Sequence, residues 1–175
     1  MSADNDLLFQ RVQESFLKLA LVSTNLNAAS DKLGSSAGGL DAVLKRLNLG
    51  ISSWVTFSEW QSEDHFHYQS DDVGYTKAGG KWGLAIRRVS GNEGNGNTNE
   101  DLWPFNEAPR GLRIRAVAKI PDLLDKLIAD ATNAAEETAK KAETIDALTL
   151  AISAVAEPQA QSAGRPRNRA GRRED

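Results

Sequence analysis

Helix-period apolar residues at both ends of the chain bracket a middle stretch whose apolar residues alternate, and this change of period limits the fold more than any other feature. Phe9, Phe16, Ser23 and Ser30 share one heptad position, and Val12, Leu19, Leu26 and Leu33 share the next. Residues so spaced meet along one helical stripe. Leu8, Val22 and Ala29 widen the stripe, which favours packing against more than one neighbour over an isolated two-stranded zipper. The pattern returns in Leu124, Ile128, Ala131, Ala135, Thr138, Ala142, Ile145, Thr149 and Ile152. The spacing predicts helices over 6–33 and 122–156, the second about 50 Å long at 1.5 Å per residue, with Pro158 as its stop.

Between them the signals are mixed. Glycines 34, 38 and 39 predict an interruption, because each costs about 1 kcal/mol relative to alanine in a helix. A short helix over 40–49 then keeps the leucine phase through Leu40 and Leu47, and Gly50 ends it. Ile51, Ser53, Val55 and Phe57 alternate with Ser52, Trp54 and Thr56, which is strand spacing. Val73–Lys77 and Lys81–Ile86 flank Gly79-Gly80, whose tolerance of positive φ suits a tight hairpin. A further short strand is expected near 65–69. The run 91–99, rich in asparagine and glycine, reads as a loop. A helix over 108–119 is opened by Asn106 or Glu107, with Pro109 near its first turn; Leu112, Ile114, Ala116 and Ala118 also alternate, so a strand is the alternative for 112–119.

The expected class is α+β. Long N- and C-terminal helices pack as an antiparallel helical stalk around a small antiparallel β-meander head, in a single domain over 1–157. A disordered Arg-rich tail follows over 158–175. With 175 residues, 40% hydrophobic and 26% charged, the chain can bury a core, and composition excludes wholesale disorder or a collagen-like repeat. No 18-residue apolar run exists, and the opening MSADNDLL is acidic rather than a basic leader, so no membrane span and a cytoplasmic location are expected.

Chemistry-bearing motifs are sparse. There is no cysteine, hence no thiolate ligand or nucleophile. His65 and His67, with Glu63 in phase, would share one strand face and meet one metal ion, yet no third histidine completes a zinc set. Neither a metal nor a cofactor is expected. Nothing matches a nucleophile elbow, a phosphate loop or a dinucleotide fingerprint, so enzyme activity is not expected.

Charge is uneven. From Leu47 to Thr76 there is no lysine or arginine, but Glu59, Glu63, Asp64, Asp71 and Asp72 are present. Lys77, Lys81, Arg87 and Arg88, with Arg110, Arg113, Arg115 and Lys119, would form either a basic surface or an intramolecular counterweight to those acids. In the tail, Gly164-Arg165-Pro166 with flanking arginines resembles the core of an AT-hook, which lays extended arginines into a narrow minor groove. Ala163 stands where that pattern usually has another arginine. The same composition also describes a solubilising tail.

Three functional expectations follow. The leading one is a non-enzymatic interaction or scaffold protein that self-associates, or binds a protein partner, through Val12, Phe16, Leu19, Leu26 and Leu33. The second is a nucleic-acid-associated accessory protein binding weakly and salt-sensitively through Arg165, Arg167, Arg169, Arg172 and Arg173. The third is a small-ligand protein with a pocket between Trp54, Trp82 and Trp103.

Overall fold

The computed structural model describes residues 3–94 and 96–162. It has an α+β architecture: α1 (Ala3–Leu47), β1 (Ser53–Gln61), β2 (His67–Ala78), β3 (Lys81–Asn92), β4 (Asn97–Pro104), α2 (Arg110–Ala116) and α3 (Ile120–Ser162), with single 3-10 turns at Phe105–Glu107 and Val117–Lys119. The four strands form one antiparallel meander in chain order. The chain divides into two compact units, residues 1–131 and 132–175.

In the first unit, helical segments cover one face of the sheet. Ala37 and Leu44 of α1, Phe105, Leu112 and Ala116, and Leu123 and Leu127 of α3 close over Val73, Tyr75, Leu84 and Ile86. These strand residues share a face because alternate side chains point to the same side of a strand. The register sets Val73 opposite Ile86 and Tyr75 opposite Leu84. The second unit is the helical remainder of α3, through Ser162.

Several sequence expectations are corrected. No break separates 6–33 from 40–49, because α1 runs unbroken through its glycines. Gly34 and Gly38 lie one turn apart beside Asn106, whose amide donates to the Gly34 carbonyl at 3.2 Å. Docking of Ala37 and Leu44 into the core outweighs the helix propensity lost at these positions. The helix ends at Leu47, before Gly50, and Asn48 takes the left-handed conformation with φ 48°, a known alternative to glycine there.

The expected loop over 91–99 is mostly strand. β3 extends to Asn92 and β4 begins at Asn97, pairing Asn92 with Asn97 and Ser90 with Asn99. The first half of β4, Asn97 to Asp101, is exposed and polar, held by backbone hydrogen bonds at the sheet edge, so it carries no apolar alternation. The stretch 112–119 is helical, and Pro121 lies in the first turn of α3, where its missing N–H is harmless. Pro158 does not stop α3, which continues to Ser162. The Gly79-Gly80 turn forms as expected, with φ of 56° and 82° between Ala78 and Lys81. Among the described residues no helix is long and apolar enough to cross a membrane.

Candidate interaction surface

The apolar stripe of α1 has two environments. At about 100° per residue, Leu8, Val12, Leu19, Leu26, Leu33, Ala37 and Leu44 fall within about 60° around the helix axis. Ala37 and Leu44 are buried in the core, and Leu33 is half-buried. From Asn5 through Ala29, every residue is exposed. Val12, Phe16, Leu19 and Leu26 are between 44% and 68% accessible. The face that docks onto the sheet therefore continues uncovered for about 37 Å.

The flanks of that face are also uncharged. Taking Phe9 and Phe16 as core positions along with Val12, Leu19 and Leu26, the bordering positions are Leu8, Ser15, Val22 and Ala29 on one side and Gln13, Ala20 and Asn27 on the other. Arg11, Glu14, Lys18 and Asp31 lie further round. A two-stranded zipper usually carries charges at the bordering positions, whereas a bundle buries them. In the second unit, Ile145, Leu148, Ile152 and Val155 recur at helical 3-4 spacing and are exposed.

The cations of the sheet are largely internal. Asp71 and Asp72 are adjacent on β2 and point to opposite faces, and the register sets them against Arg88 and Arg87 of β3. Arg87 donates from Nε and Nη2 to Asp72 Oδ2 at 3.0 and 2.8 Å, and Thr56 donates to Oδ1 at 2.7 Å. On the helix-facing side, Asp71 is fully buried and accepts from Arg88 at 2.7 and 3.1 Å and from Arg115 of α2 at 3.0 Å. The hydrogen bond to Asp71 holds the Arg88 guanidinium above its ordinary pKa. Arg110 is directed elsewhere, to Asn27 on α1 at 2.8 Å. Of the two readings of the basic residues, Arg87, Arg88 and Arg115 follow the intramolecular one.

The tryptophans do not converge. Trp54 lies on the sheet face away from the helices, across Gly74, with the Arg87 guanidinium 4.4 Å from its ring centre. Trp82 stacks on Tyr75 at 5.7 Å on the helix-facing side, and Trp103 packs against the same core. A pocket between Trp54, Trp82 and Trp103 is excluded by strand alternation, which sends Trp54 through the sheet. Trp60 is 58% accessible.

His65 occupies a turn with φ 60°, outside the strand that holds His67, so the two do not share a strand face. Among the described residues no group of three or more potential metal ligands of the histidine, cysteine or carboxylate kind comes together. Arg165, Arg167, Arg169, Arg172 and Arg173 lie outside the described residues. Comparison with known proteins gives no matching family model, no matching curated protein and no matching solved structure.

Proposed function

We propose that this chain is a non-enzymatic assembly protein whose copies join through the Leu8–Leu26 face of α1, each contributing its sheet as a displayed head. The observation that carries the reading is the continuity of one stripe, buried at Ala37 and Leu44 and bare from Leu8 to Leu26. An isolated helix of this length is marginal in water without a covered apolar face. A contiguous apolar surface this long marks an interaction site.

The occupant is a second copy of the chain. The stripe and its bordering residues are uncharged, and among the described residues only Arg110 of α2 reaches a border, at Asn27, so the face carries no row of charges that selects a partner of opposite sign. Phenylalanine layers alternating with leucine and valine layers are compatible with their own kind. Ser23 and Ser30 at core positions weaken a lone pair of helices and are tolerated where more than two meet. In this reading the antiparallel stalk suggested by the terminal seams is built between copies, and Ile145, Leu148, Ile152 and Val155 provide a further seam.

Light scattering on the full chain after size exclusion tests the proposal. The expected mass is a whole multiple of 19.0 kDa. The double variant Leu19→Asp/Leu26→Asp should run as a monomer with reduced helicity, since each leucine contributes about 1.5–3 kcal/mol when buried. A native mass of 19.0 kDa, or a double variant that keeps its mass and helicity, overturns the reading.

A further inference from the structure

The helix-facing side of the sheet changes character in steps along the strands. Nearest the helices it is apolar, with Val73, Ile86 and Trp103 in one cross-strand row. The next row holds the ion pair of Asp71 and Arg88, with Ser58 and Asp101 beside it. Beyond that come two rows of a different kind. Trp60, Gln69, Ser90 and Asn99 lie opposite one another across all four strands, followed by His67, Asn92 and Asn97. These residues line an open depression of about 480 Å³.

We propose that this depression is a binding platform for a neutral carbohydrate chain, stacked on Trp60 and hydrogen-bonded by Gln69, Ser90 and Asn99 of the first row. The chemistry of the floor selects that class. The Gln69 and Asn99 amides each carry two donors and one acceptor with two lone pairs, which match hydroxyl groups that both donate and accept. The exposed indole of Trp60 supplies the apolar surface on which the C–H face of a pyranose ring lies, with a polar N–H at its edge. Its exposure is costly unless something covers it.

Other ligand classes fit less well. None of the lining residues is an acid, a lysine or an arginine, so the site lacks the cations that phosphate backbones require. The cations next to it, Arg88 and Arg115, are paired with Asp71. A protein surface laid on the first row would have to satisfy the Gln69 and Asn99 amides individually, because a buried unpaired amide costs several kcal/mol.

The platform is also braced from behind. On the opposite face the Tyr68 ring crosses β3 at Gly91, where a Cβ would come within 2.5 Å of it, and the Tyr68 and Thr98 hydroxyls lie 3.1 Å apart. The Asn92 amide nitrogen lies 3.2 Å from His67 Nε2. A floor held in this way loses little freedom when a ligand binds. Three interstrand spacings make the first row about 14 Å long, the scale of a short oligosaccharide.

The full chain, titrated with cellohexaose, chitohexaose and maltohexaose by calorimetry and tryptophan fluorescence, tests the proposal. At least one should bind with a Kd of about 1 mM or tighter, with a change in indole emission. Trp60→Ala should weaken it by about ten-fold or more, and Asn99→Ala by a smaller factor. Both residues are exposed, so both variants should keep the native far-UV spectrum; if Trp60→Ala does not, Asn99→Ala decides. Failure of all three sugars to bind, binding unaffected by both variants, or a preference for heparin over every neutral sugar overturns the proposal. The Leu19→Asp/Leu26→Asp chain should bind the same sugar, which separates this inference from the assembly reading.

Discussion

Removing the Asp71 carboxylate tests the central electrostatic arrangement of the sheet. Asp71 is fully buried, and its three charge-assisted hydrogen bonds join β2, β3 and α2. Breaking one side of a buried pair costs about 3–5 kcal/mol. The arginines are not fully buried, with side-chain accessibilities of 32% for Arg88 and 50% for Arg115. Both regain water when the carboxylate is lost, so Asp71→Ala is expected at the low end, about 3 kcal/mol. Arg88→Ala should cost a similar amount, because it leaves a carboxylate that water cannot reach with a single donor. Arg115→Ala removes one bond to Asp71 and one to Ser58 from a half-exposed partner and should cost about 1 kcal/mol. The double variant Asp71→Ala/Arg88→Ala should cost well under the sum of the two single changes, because both remove the same interaction. Urea unfolding followed by tryptophan fluorescence at one fixed chain concentration measures all four, since assembly would otherwise move the midpoint. Equal costs for Arg88→Ala and Arg115→Ala, or additive single changes, would refute the reasoning.

Burial, followed by the Asp41 charge, raises the Tyr75 phenol above its ordinary value of 10.0. The unfolded chain therefore loses that proton first, so stability should hold below pH 10 and fall as pH rises from there through the folded pKa. Tyr75→Phe should remove this alkaline decline, and melting temperatures between pH 8 and about 11 would show it. At Gly74, an added Cβ would lie 2.2 Å from Trp54 Cε3 and 2.5 Å from the Ser53 carbonyl oxygen. The carbonyl belongs to the β1 ladder and cannot yield freely, so Gly74→Ala should destabilise by about 1–3 kcal/mol; an unchanged urea midpoint would contradict the close approach.

Much of the local structure is legible in the sequence. The heptad phase of Val12, Leu19, Leu26 and Leu33 and the paired glycines at 79 and 80 each act over a few residues. The uncharged stripe on α1 was readable for the same reason. The continuity of α1 through Gly34–Gly39 was not readable, because contacts with Asn106 and the sheet, distant in sequence, outweigh the local penalty. Nor was the first part of β4, whose side chains from Asn97 to Leu102 are exposed and whose stability lies in backbone pairing with β3. The partners of Arg87 and Arg88 depend on which residue of β2 stands opposite each, and that register is a property of the assembled sheet.

The sequence by itself determined the repeat of each segment, because side-chain spacing along a backbone decides which residues can share a face. Only the tertiary structure decided which face each shared set occupies. By strict alternation Trp54 and Trp60 would lie on the same side of β1. The strand instead bulges at Phe57, between Thr56 opposite Asp72 and Ser58 opposite Asp71. One inserted residue reverses every later side chain, since a strand has a period of two. That single reversal carries Trp60 to the helix-facing side, in line with Gln69, Ser90 and Asn99.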